Sequence, residues 1–479
     1  MTTQRVVRLI PSIALAVLIL APASGTRFRA PVVPLSPSPS PSSPPAAVPS
    51  PGKDGELVQE IARDTVIGPA GSQPDTAVEP YVAVDPARPD TVVAVFQMGR
   101  FPDGGAAAIG FASSDDGGTT WTSGVLPGLT RASGGVYLRV SDPSVAFGPD
   151  GSAYASSIVI RGPDRDGGIA VNRSDDGGRT WNGPAFLERT PAGSGDDFPR
   201  IAVDTGSSSR DVGRVYVTYV HGDRIAVRWS DDRAVTWSSR SLVSPGMGFV
   251  PNVVVGPGGL TVVYITRRSG GRRVLVSRTS HDGGTAFDPP VEVGVMRGRA
   301  SRGLRAVGVE EAAADPVTGT MFVVWERASN RENGPNDVVL SRSLDGGRSW
   351  TVPTAVNPDP SGSGTDHLQP AVAARGDRVR IVYFTRAVSQ GRPSQLLQLR
   401  SISSSDGGVT FAGERAIGPP ADLRFAAVVR PGRTRFLGDY IGVALSTESL
   451  LVVWSRSFPP AGVAGYHVTI WAARISDPA

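Results

Sequence analysis

Residues 174–181 read SDDGGRTW, a stretch that contains paired carboxylates, paired glycines, hydroxyl side chains and a tryptophan. The glycines tolerate the left-handed backbone angles of a tight turn between strands. The aspartate and the hydroxyl side chains can bond to nearby backbone amides, and the tryptophan offers a large apolar surface for burial. Each residue type is explained by folding, so the stretch predicts a structural turn rather than a catalytic or metal-binding loop.

The same pattern recurs along the chain. The octets are SDDGGTTW (114–121), SDDGGRTW (174–181), SDDRAVTW (230–237), SHDGGTAF (280–287), SLDGGRSW (343–350) and SSDGGVTF (404–411). Their third residues are Asp116, Asp176, Asp232, Asp282, Asp345 and Asp406, and consecutive copies lie 50 to 63 residues apart. A period of this size predicts an array of one supersecondary unit.

Each unit contains four short runs of strand-forming residues. Two runs rich in β-branched residues precede the octet, a third enters it and a fourth leaves it, with no helical periodicity between them. This pattern predicts the four-stranded blade of a β-propeller. The first-strand pattern occurs seven times, and the seventh unit reaches Ser476-Asp477, where an octet would begin, without a fourth strand. Residues 57–68 resemble the fourth strands elsewhere, so we expect them to pair with the last unit and close the ring.

The pattern S-x-D-x-G-x-T-W resembles the Asp-box, or bacterial neuraminidase repeat, of sialidases and other secreted propellers. The resemblance covers the chain from about residue 57 to its end, and it implies an all-β, sialidase-like β-propeller of four-stranded blades. In that family the Asp-boxes lie on the side of the propeller away from the active site, so the six aspartates are expected to be structural. Sialidases typically have six blades, whereas the first strands of this chain indicate seven.

Propellers bind ligands at the central mouth, where the first strands converge. Equivalent positions near the start of these strands hold Tyr81, Ser144, Arg200, Asn252, Glu311, Ala371 and Tyr440. The resemblance implies a tyrosine nucleophile activated by a glutamate, an aspartate acid/base and an arginine cluster that binds the substrate carboxylate. The residues expected in these roles are Tyr440 as nucleophile, Glu311 as base, Asp142 as acid/base, Arg200 as clamp, Arg139, Arg305 or Arg435 as helpers, and Tyr81 and Asn252 as further ligand contacts.

A structural interpretation of these residues stays open beside the catalytic one. The family's Arg-Ile-Pro motif is absent ahead of the first octet, since the sequence Phe198-Pro199-Arg200-Ile201 has the proline on the wrong side and occurs too late. Arg200 and Glu311 also fit paired charges at strand ends, and Tyr440 fits an aromatic residue packed between blades.

The first residues predict secretion. Arg5 and Arg8 precede an apolar run at 9–20, and Ala21-Pro22-Ala23 follows as a small-residue cleavage site. Residues 1–23 are expected to be a cleaved signal peptide, because the run is shorter than the roughly 20 apolar residues of a membrane span. The proline- and serine-rich residues 24–56 are expected to be a disordered linker, either a stalk or a tail. The mature protein is expected outside a bacterial cell, free or held at the surface by this stalk.

Composition disfavours several function classes. The 479 residues include no cysteine, which excludes disulfides, thiolate catalysis and Cys-based metal sites. The net charge is +4 and the arginines are spread over all units, which argues against a nucleic-acid partner. The histidines lack ligand spacing and are expected on the surface or in loops: His221, His281, His367 and His467. The acidic loops 162–168 and 330–337 lack an ordered ligand series, so no cofactor is assigned and calcium is kept only as an unsupported option.

Three functional hypotheses follow. The preferred one is a secreted, monomeric propeller of residues 57–479 that binds an extracellular glycan or protein at its mouth. The main alternative is an exo-glycosidase of the sialidase type, and the third is a structural scaffold without a ligand. A hydrogen bond between the Tyr440 hydroxyl and the Glu311 carboxylate, with arginines converging on the same pocket, would favour the enzyme.

Overall fold

A computed structural model describes residues 50–51, 56–161, 166–191, 195–306, 308–328, 335–360, 363–429, 434–460 and 465–477. The predicted signal peptide, residues 1–23, lies outside the described residues, as does the predicted linker, residues 24–56, except for Ser50, Pro51 and Glu56. The strands belong to one of the chain's two compact units, Ala47–Ala479. Within the described part of the chain, no helix has the length and apolar character needed to cross a membrane.

Thirty-two strands and a few short 3-10 turns make up the described structure. Two strands precede the repeats: β1 (Ser50–Pro51) and β2 (Glu56–Ala62). Sheet I contains β3 (Ala77–Val84), β4 (Val92–Arg100), β5 (Ala106–Ser114) and β6 (Thr122–Val125). Sheet II contains β7 (Arg139–Phe147), β8 (Ala153–Ile160), β9 (Gly167–Ser174) and β10 (Ala185–Thr190). One residue pair, Ala106 and Val140, joins these two sheets into an eight-stranded one.

The middle of the chain repeats this arrangement. Sheet III contains β11 (Asp197–Val203), β12 (Val215–His221), β13 (Arg224–Ser230) and β14 (Ser241–Leu242). Sheet IV contains β15 (Phe249–Gly256), β16 (Gly259–Arg267), β17 (Arg273–Ser280) and β18 (Val291–Val295). Sheet V contains β19 (Glu311–Ala314), β20 (Met321–Ala328), β21 (Asn336–Ser343) and β22 (Thr354–Ala355).

The last part of the chain adds two further sheets and a hairpin. Sheet VI contains β23 (Thr365–Arg375), β24 (Arg378–Ser389), β25 (Arg392–Pro393), β26 (Leu396–Ser404) and β27 (Ala412–Asp422). The hairpin is formed by β28 (Ala427–Val429) and β29 (Thr434–Phe436). Sheet VII contains β30 (Gly442–Leu445), β31 (Ser449–Ser457) and β32 (Val468–Ser476) together with β2 and β1. The 3-10 turns are Arg131–Ser133, Ser269–Gly271 and Leu423–Phe425.

The first strands of successive sheets pack on one another around a central channel. The order of contact is β3, β7, β11, β15, β19, β23, β30 and again β3. The apolar core lies between neighbouring sheets, as where Val95 and Phe111 of sheet I pack with Val145 and Phe147 of sheet II. Antiparallel sheets that follow one another around an axis are the architecture of a β-propeller.

Sheet VII is completed by a strand from the other end of the chain. β2 pairs antiparallel with β32, with Glu56 opposite Ile475 and Ala62 opposite Ile470. The predicted pairing of this segment with the last unit is confirmed, although the strand ends at Ala62 rather than extending to Gly68. The pairing covers an edge of β32 that would otherwise be exposed.

All six octets form the same turn between the third and fourth strands. The serine hydroxyl donates to the third-position aspartate at 2.7–2.8 Å and accepts a bond from the fifth-position amide at 2.8–2.9 Å. The seventh-position amide also donates to this aspartate at 2.8–2.9 Å in every copy. The aspartate therefore holds the turn together from inside.

The two glycines of the octet adopt the left-handed conformation, and the second one also lies against the neighbouring sheet. Gly177 and Gly178 have φ angles of 77° and 87°. A Cβ on Gly178 would lie 2.1 Å from the Val93 side chain of sheet I, so the turn packs directly against the neighbouring sheet. In the third octet Arg233 and Ala234 adopt the same left-handed conformation, at φ 63° and 64°.

We expect acid to weaken these turns. Hydrogen bonds from the Thr236 side chain and amide lower the pKa of Asp232 to about 2. Because the folded pKa lies below the unfolded value of about 3.9, this stabilisation is complete above pH 4 and is lost as the pH falls towards 2. Asp232→Asn should lower the free energy of unfolding at pH 6 by about 1 kcal/mol and reduce the loss of stability on acidification.

Thermal unfolding midpoints between pH 6 and pH 2 check this expectation. Asp231→Asn is the matched control, because Asp231 is the other carboxylate of the same octet and is paired, among the described residues, with Arg214. Equal acid sensitivity of Asp232→Asn and Asp231→Asn would contradict a role for the internal hydrogen bonds.

Candidate functional site

Five first strands carry a backbone irregularity near their start. The pairing register shifts in β3, β7, β11, β15 and β23. At each shift a residue with positive φ precedes a proline: Glu79 (57°), Asp142 (50°), Phe198 (54°), Val250 (50°) and Gln369 (52°). Residues other than glycine seldom adopt this conformation, and residues before proline avoid the helical region. Such bulges change the direction of side chains and are frequent beside functional sites.

Arg200 lies at the centre of an aromatic cluster. It is 1% exposed, and its Nη2 lies 3.3 Å from Glu311 Oε1. Its guanidinium carbon lies 4.2 Å from the centre of the Tyr440 ring, 4.7 Å from that of Phe198 and 5.2 Å from that of Tyr81. Burial raises the pKa of Glu311, while the Arg200 charge opposes this shift. The structure thus brings together four residues that the sequence analysis placed at the mouth.

Tyr440 is held as a neutral phenol. Its hydroxyl donates to the Pro143 carbonyl oxygen at 3.1 Å. Burial, followed by the nearby Glu79 carboxyl, raises its pKa well above the usual value of a tyrosine. Among the described hydrogen bonds none joins Tyr440 to Glu311, the base expected for it, and Glu311 is instead paired with Arg200. The Tyr440 hydroxyl and the Glu311 carboxylate are therefore engaged by other partners, and their expected catalytic roles stay predictions.

A second group consists of carboxyl side chains at the openings of β3, β7 and β11. The Ser141 hydroxyl donates to Asp142 Oδ1 at 2.8 Å. Burial and the adjacent Asp142 carboxyl raise the pKa of Asp197 well above its usual value. Burial, with the charges of Asp142 and Asp439, also raises the pKa of Glu79, which accepts a hydrogen bond from Gln97. Burial and mutual repulsion therefore favour the protonated form of Glu79 and Asp197, which can donate as well as accept hydrogen bonds.

The arginines expected to help bind a carboxylate already have partners. Arg305 forms two hydrogen bonds with Asp439, at 2.6 and 3.2 Å. Arg139 donates to Asp103 at 2.8 Å and lies over the Phe101 ring.

The remaining two expected ligand contacts bond to backbone carbonyls. Arg435 donates to the Ala426 carbonyl at 3.1 Å, and Asn252 donates to the Glu310 carbonyl at 2.7 Å. All four residues expected to help bind a ligand, including Arg305 and Arg139, therefore bond to groups of the protein itself.

Two buried glutamates were missed by the sequence analysis. Glu310 is fully buried, and both its carboxyl oxygens lack a hydrogen-bond partner among the described residues. Glu326 at the end of β20 is 1% exposed, and its Oε1 accepts from the Gln369 amide at 2.8 Å. Burial raises the pKa of Glu326 to about 8 and that of Glu310 well above its usual value. An acid within the apolar run of β20 was the signal that could have revealed Glu326.

We expect Glu326 to make stability fall as the pH rises. The folded protein binds the proton of this acid more tightly than the unfolded chain does. The resulting stabilisation is fully present below the unfolded pKa of about 4.3 and is lost progressively as the pH rises to about 8. Between pH 6 and pH 8 the wild-type protein should lose about 2–3 kcal/mol through this group. Glu326→Gln keeps the acceptor for Gln369 and should remove this loss.

Urea unfolding at pH 6 and pH 8 measures this difference. Glu292→Gln is a suitable control, because Glu292 is exposed and lies 3.8 Å from Arg272. A pH dependence that is unchanged in Glu326→Gln would show that Glu326 ionises freely in the folded protein.

The central channel contains a cavity of about 240 Å³. Tyr81 and Glu311 lie on its wall together with small side chains of β19 and β23, including Ala313 and Ala373. Small residues on the first strands leave this space unfilled. The channel therefore offers polar contacts to water or a small group next to the Arg200 cluster.

The loops considered for calcium, 162–168 and 330–337, contain residues outside the described part of the chain. In the described remainder, Asp337 is buried in β21 and accepts a hydrogen bond from Asn357 at 3.2 Å. Calcium at either loop stays an untested option.

Comparisons with known proteins were made for both sequence and structure. No family model and no curated protein matches the sequence. The Hadza microbial sialidase Hz136 is similar in structure, with a TM-score of 0.44 and 19% identity over 65% of this chain and 64% of that one. The intramolecular trans-sialidase from Ruminococcus gnavus gives a TM-score of 0.46 and 13% identity over 67% of this chain and 92% of that one.

A further similar structure is the GH93 α-L-arabinofuranosidase of Fusarium graminearum, with a TM-score of 0.44 and 15% identity over 72% of this chain and 96% of that one. The similar structures named here are thus a sialidase, a trans-sialidase and an arabinofuranosidase.

Proposed function

We propose that residues 57–479 form a secreted, monomeric, seven-bladed Asp-box propeller that binds a neutral extracellular glycan at its central mouth. Seven first strands in a closed order of contact support the blade number, with sheets I to VII as the blades. The hydrogen bonds shared by the octet turns support the Asp-box interpretation. Secretion is proposed from residues 1–23, and a surface-held form from the proline-rich residues 24–56.

The observation that carries the ligand proposal is the charge state of the mouth. Asp142 and the partly exposed Asp197 form a carboxyl pair, in which burial and the Asp142 carboxyl raise the pKa of Asp197 and so favour a proton shared between them. Arg305, which lies near it, is already paired with Asp439, and Arg139 of the same strand as Asp142 is paired with Asp103. An anionic sugar would meet carboxyl groups beside arginines that are already bonded within the protein, including Arg100, which donates to the Phe101 and Gly105 carbonyls. Sugar hydroxyls can both donate to and accept from a carboxyl pair.

Binding of the mature protein to a glycan array tests this proposal. We expect signal on neutral glycans and none that depends on sialic acid. Asp142→Asn should reduce binding at least 10-fold, because a charged hydrogen bond to the ligand is worth about 1.5–3 kcal/mol. Asp115→Asn, which removes an exposed ion pair with Arg179 at an octet turn, should bind as the wild type does.

Binding only to sialylated glycans, or equal binding by Asp142→Asn and the wild type, would overturn the proposed mouth site. Absence of any glycan binding, with a protein captured at the same face instead, would replace the glycan by the protein ligand. Absence of both would favour a structural scaffold.

A sialidase-type exo-glycosidase is the second candidate. It is favoured by the meeting of Tyr440, Glu311 and Arg200 at one point beside the central channel. For this activity the Tyr440 hydroxyl would have to leave the Pro143 carbonyl and donate its proton to a base, since a phenol with a raised pKa is a poor nucleophile. Hydrolysis of fluorogenic sialosides that is lost in Tyr440→Phe would support this candidate, and no turnover would exclude it.

A further inference from the structure

A buried histidine and two carboxylates lie together at sheet VI, outside the Arg200 cluster. His367 in β23, Glu414 in β27 and Asp359 in the loop after β22 each offer a ligand atom, and these atoms lie within 4.8 Å of one another. His367 is 1% exposed, so the expectation of a surface or loop histidine is wrong for this residue. Asp359 and Glu414 are partly exposed, which leaves the group open to an ion from solvent.

The hydrogen bonds of His367 fix which ring nitrogen is free. Nδ1 lies 2.9 Å from the Asn336 carbonyl oxygen, an acceptor, so Nδ1 carries a proton. Nε2 is buried without a hydrogen bond of suitable geometry, although it lies 3.0 Å from Asp359 Oδ1. In a neutral imidazole this nitrogen presents a lone pair to a carboxylate oxygen. Two acceptors at this distance repel each other unless a cation or a second proton is shared between them.

We propose that His367 Nε2 and the carboxylates of Asp359 and Glu414 bind a divalent transition-metal ion, best matched by Zn²⁺. Zinc accepts imidazole nitrogen and carboxylate oxygen together, whereas calcium prefers oxygen ligands alone. A histidine that donates from its second nitrogen to a backbone carbonyl, as His367 does to Asn336, is the usual outer contact of a metal ligand.

The carboxylates are also positioned by outer contacts. Glu414 accepts hydrogen bonds from the Tyr383 hydroxyl at 2.6 Å and from Arg400 at 3.0 Å. Asp359 accepts from Ser363 and, more distantly at 3.4 Å, from Asn357. Carboxylate ligands of metals are commonly held by such bonds, which leave further lone pairs for the ion. The Arg400 charge opposes a cation, so the affinity depends on all three ligands.

Sheet III contains a matched histidine that lacks the third ligand. His221 Nδ1 lies 2.7 Å from Asp196, and the neighbouring Tyr219 donates to Glu188 at 2.7 Å. Here Nδ1 faces the carboxylate directly, and among the described residues no third ligand atom completes a group around it. His221→Gln therefore removes a histidine–carboxylate pair without touching the proposed site.

Competition with a chromophoric chelator measures zinc binding by the full chain after metal removal. We expect one tight Zn²⁺ per wild-type chain, an affinity at least 10-fold weaker in His367→Gln and in Glu414→Gln, and no change in His221→Gln. Glu414→Gln keeps an acceptor for Tyr383, and circular dichroism identifies any variant that fails to fold. A Co²⁺-loaded wild-type protein should also show visible absorption that both ligand variants lose.

Two results would overturn the proposal. One is the absence of stoichiometric zinc binding in a folded wild-type protein, which would mean that a proton on Nε2 pairs His367 with Asp359. The other is an equal affinity in His221→Gln, Glu414→Gln and the wild type, which would place any bound zinc elsewhere. Neither result depends on glycan binding, so failure of this site is distinguishable from failure of the mouth proposal.

Discussion

Replacing Arg200 with methionine is expected to destabilise the folded protein by about 3–5 kcal/mol, because it leaves the Glu311 carboxyl buried without its counter-charge. Arg200 and Glu311 are 1% and 5% exposed, so the unpaired carboxyl would remain in a largely buried site. The substitution also removes the cation from the faces of Tyr440, Phe198 and Tyr81. The free energy of unfolding from urea denaturation at pH 7 measures the loss.

The double variant Arg200→Met/Glu311→Met separates the charge effect from packing. A buried ion pair replaced by apolar residues of similar volume is often neutral or stabilising, so the double variant should regain most of the lost stability. Arg200→Met alone should also recover partly as the pH falls, since protonation of Glu311 removes its unpaired charge. If the double variant is as unstable as Arg200→Met, shape rather than charge compensation determines the stability of this cluster.

The sequence was sufficient for the repeat and for the positions at the mouth. An octet turn can be predicted from local sequence, because Ser174, Asp176 and Gly178 form hydrogen bonds within one short segment. A regular period also aligns the first strands, so Arg200, Glu311 and Tyr440 could be placed in one ring before their contacts were known. Local bonding and repetition were therefore enough to predict this much of the architecture.

The hydrogen-bond partners of these residues could not be predicted from the sequence. The Pro143 carbonyl that accepts from the Tyr440 hydroxyl is 297 residues away in sequence. It lies next to the bulge at Asp142. That bulge depends on a non-glycine residue in a left-handed conformation, which sequence preferences disfavour. Contacts set by packing between distant sheets carry no local signal, so catalytic roles for Tyr440, Glu311 and Asp142 stay predictions.

The histidine group at sheet VI illustrates the same limit. Spacing rules identify ligands that lie close along one strand or helix, whereas His367 and Glu414 lie on strands at opposite edges of sheet VI, and Asp359 lies in the loop before it. Burial separates His367 from the half-exposed His221, and burial is not visible in the residues around either histidine. The tertiary arrangement therefore supplied the signal for the zinc proposal.

A chain that begins at Arg63 is expected to lose its cooperative fold, because it lacks β2. This strand pairs with β32 from Glu56 to Ala62 and buries Val58 and Ile61 against the core. Gln59 also donates to the carbonyls of Gly118 and Thr119, which links the strand to the octet turn of sheet I. We expect a loss of at least about 5 kcal/mol, since several backbone hydrogen bonds of about 1 kcal/mol each are lost together with this apolar burial.

Supplying the strand as a separate peptide tests whether the loss arises from an open edge. A peptide of residues 53–66 should restore a cooperative melt to the shortened chain, because an added strand can satisfy the edge of β32. The same peptide with proline at both Val58 and Gln59 should fail, since consecutive amides point to opposite edges and one of the two must face β32. A chain beginning at Arg63 that melts as the full chain does would show that sheet VII is stable with three strands. Rescue by the first peptide alone would instead establish that the ring is held closed by the pairing of its two ends.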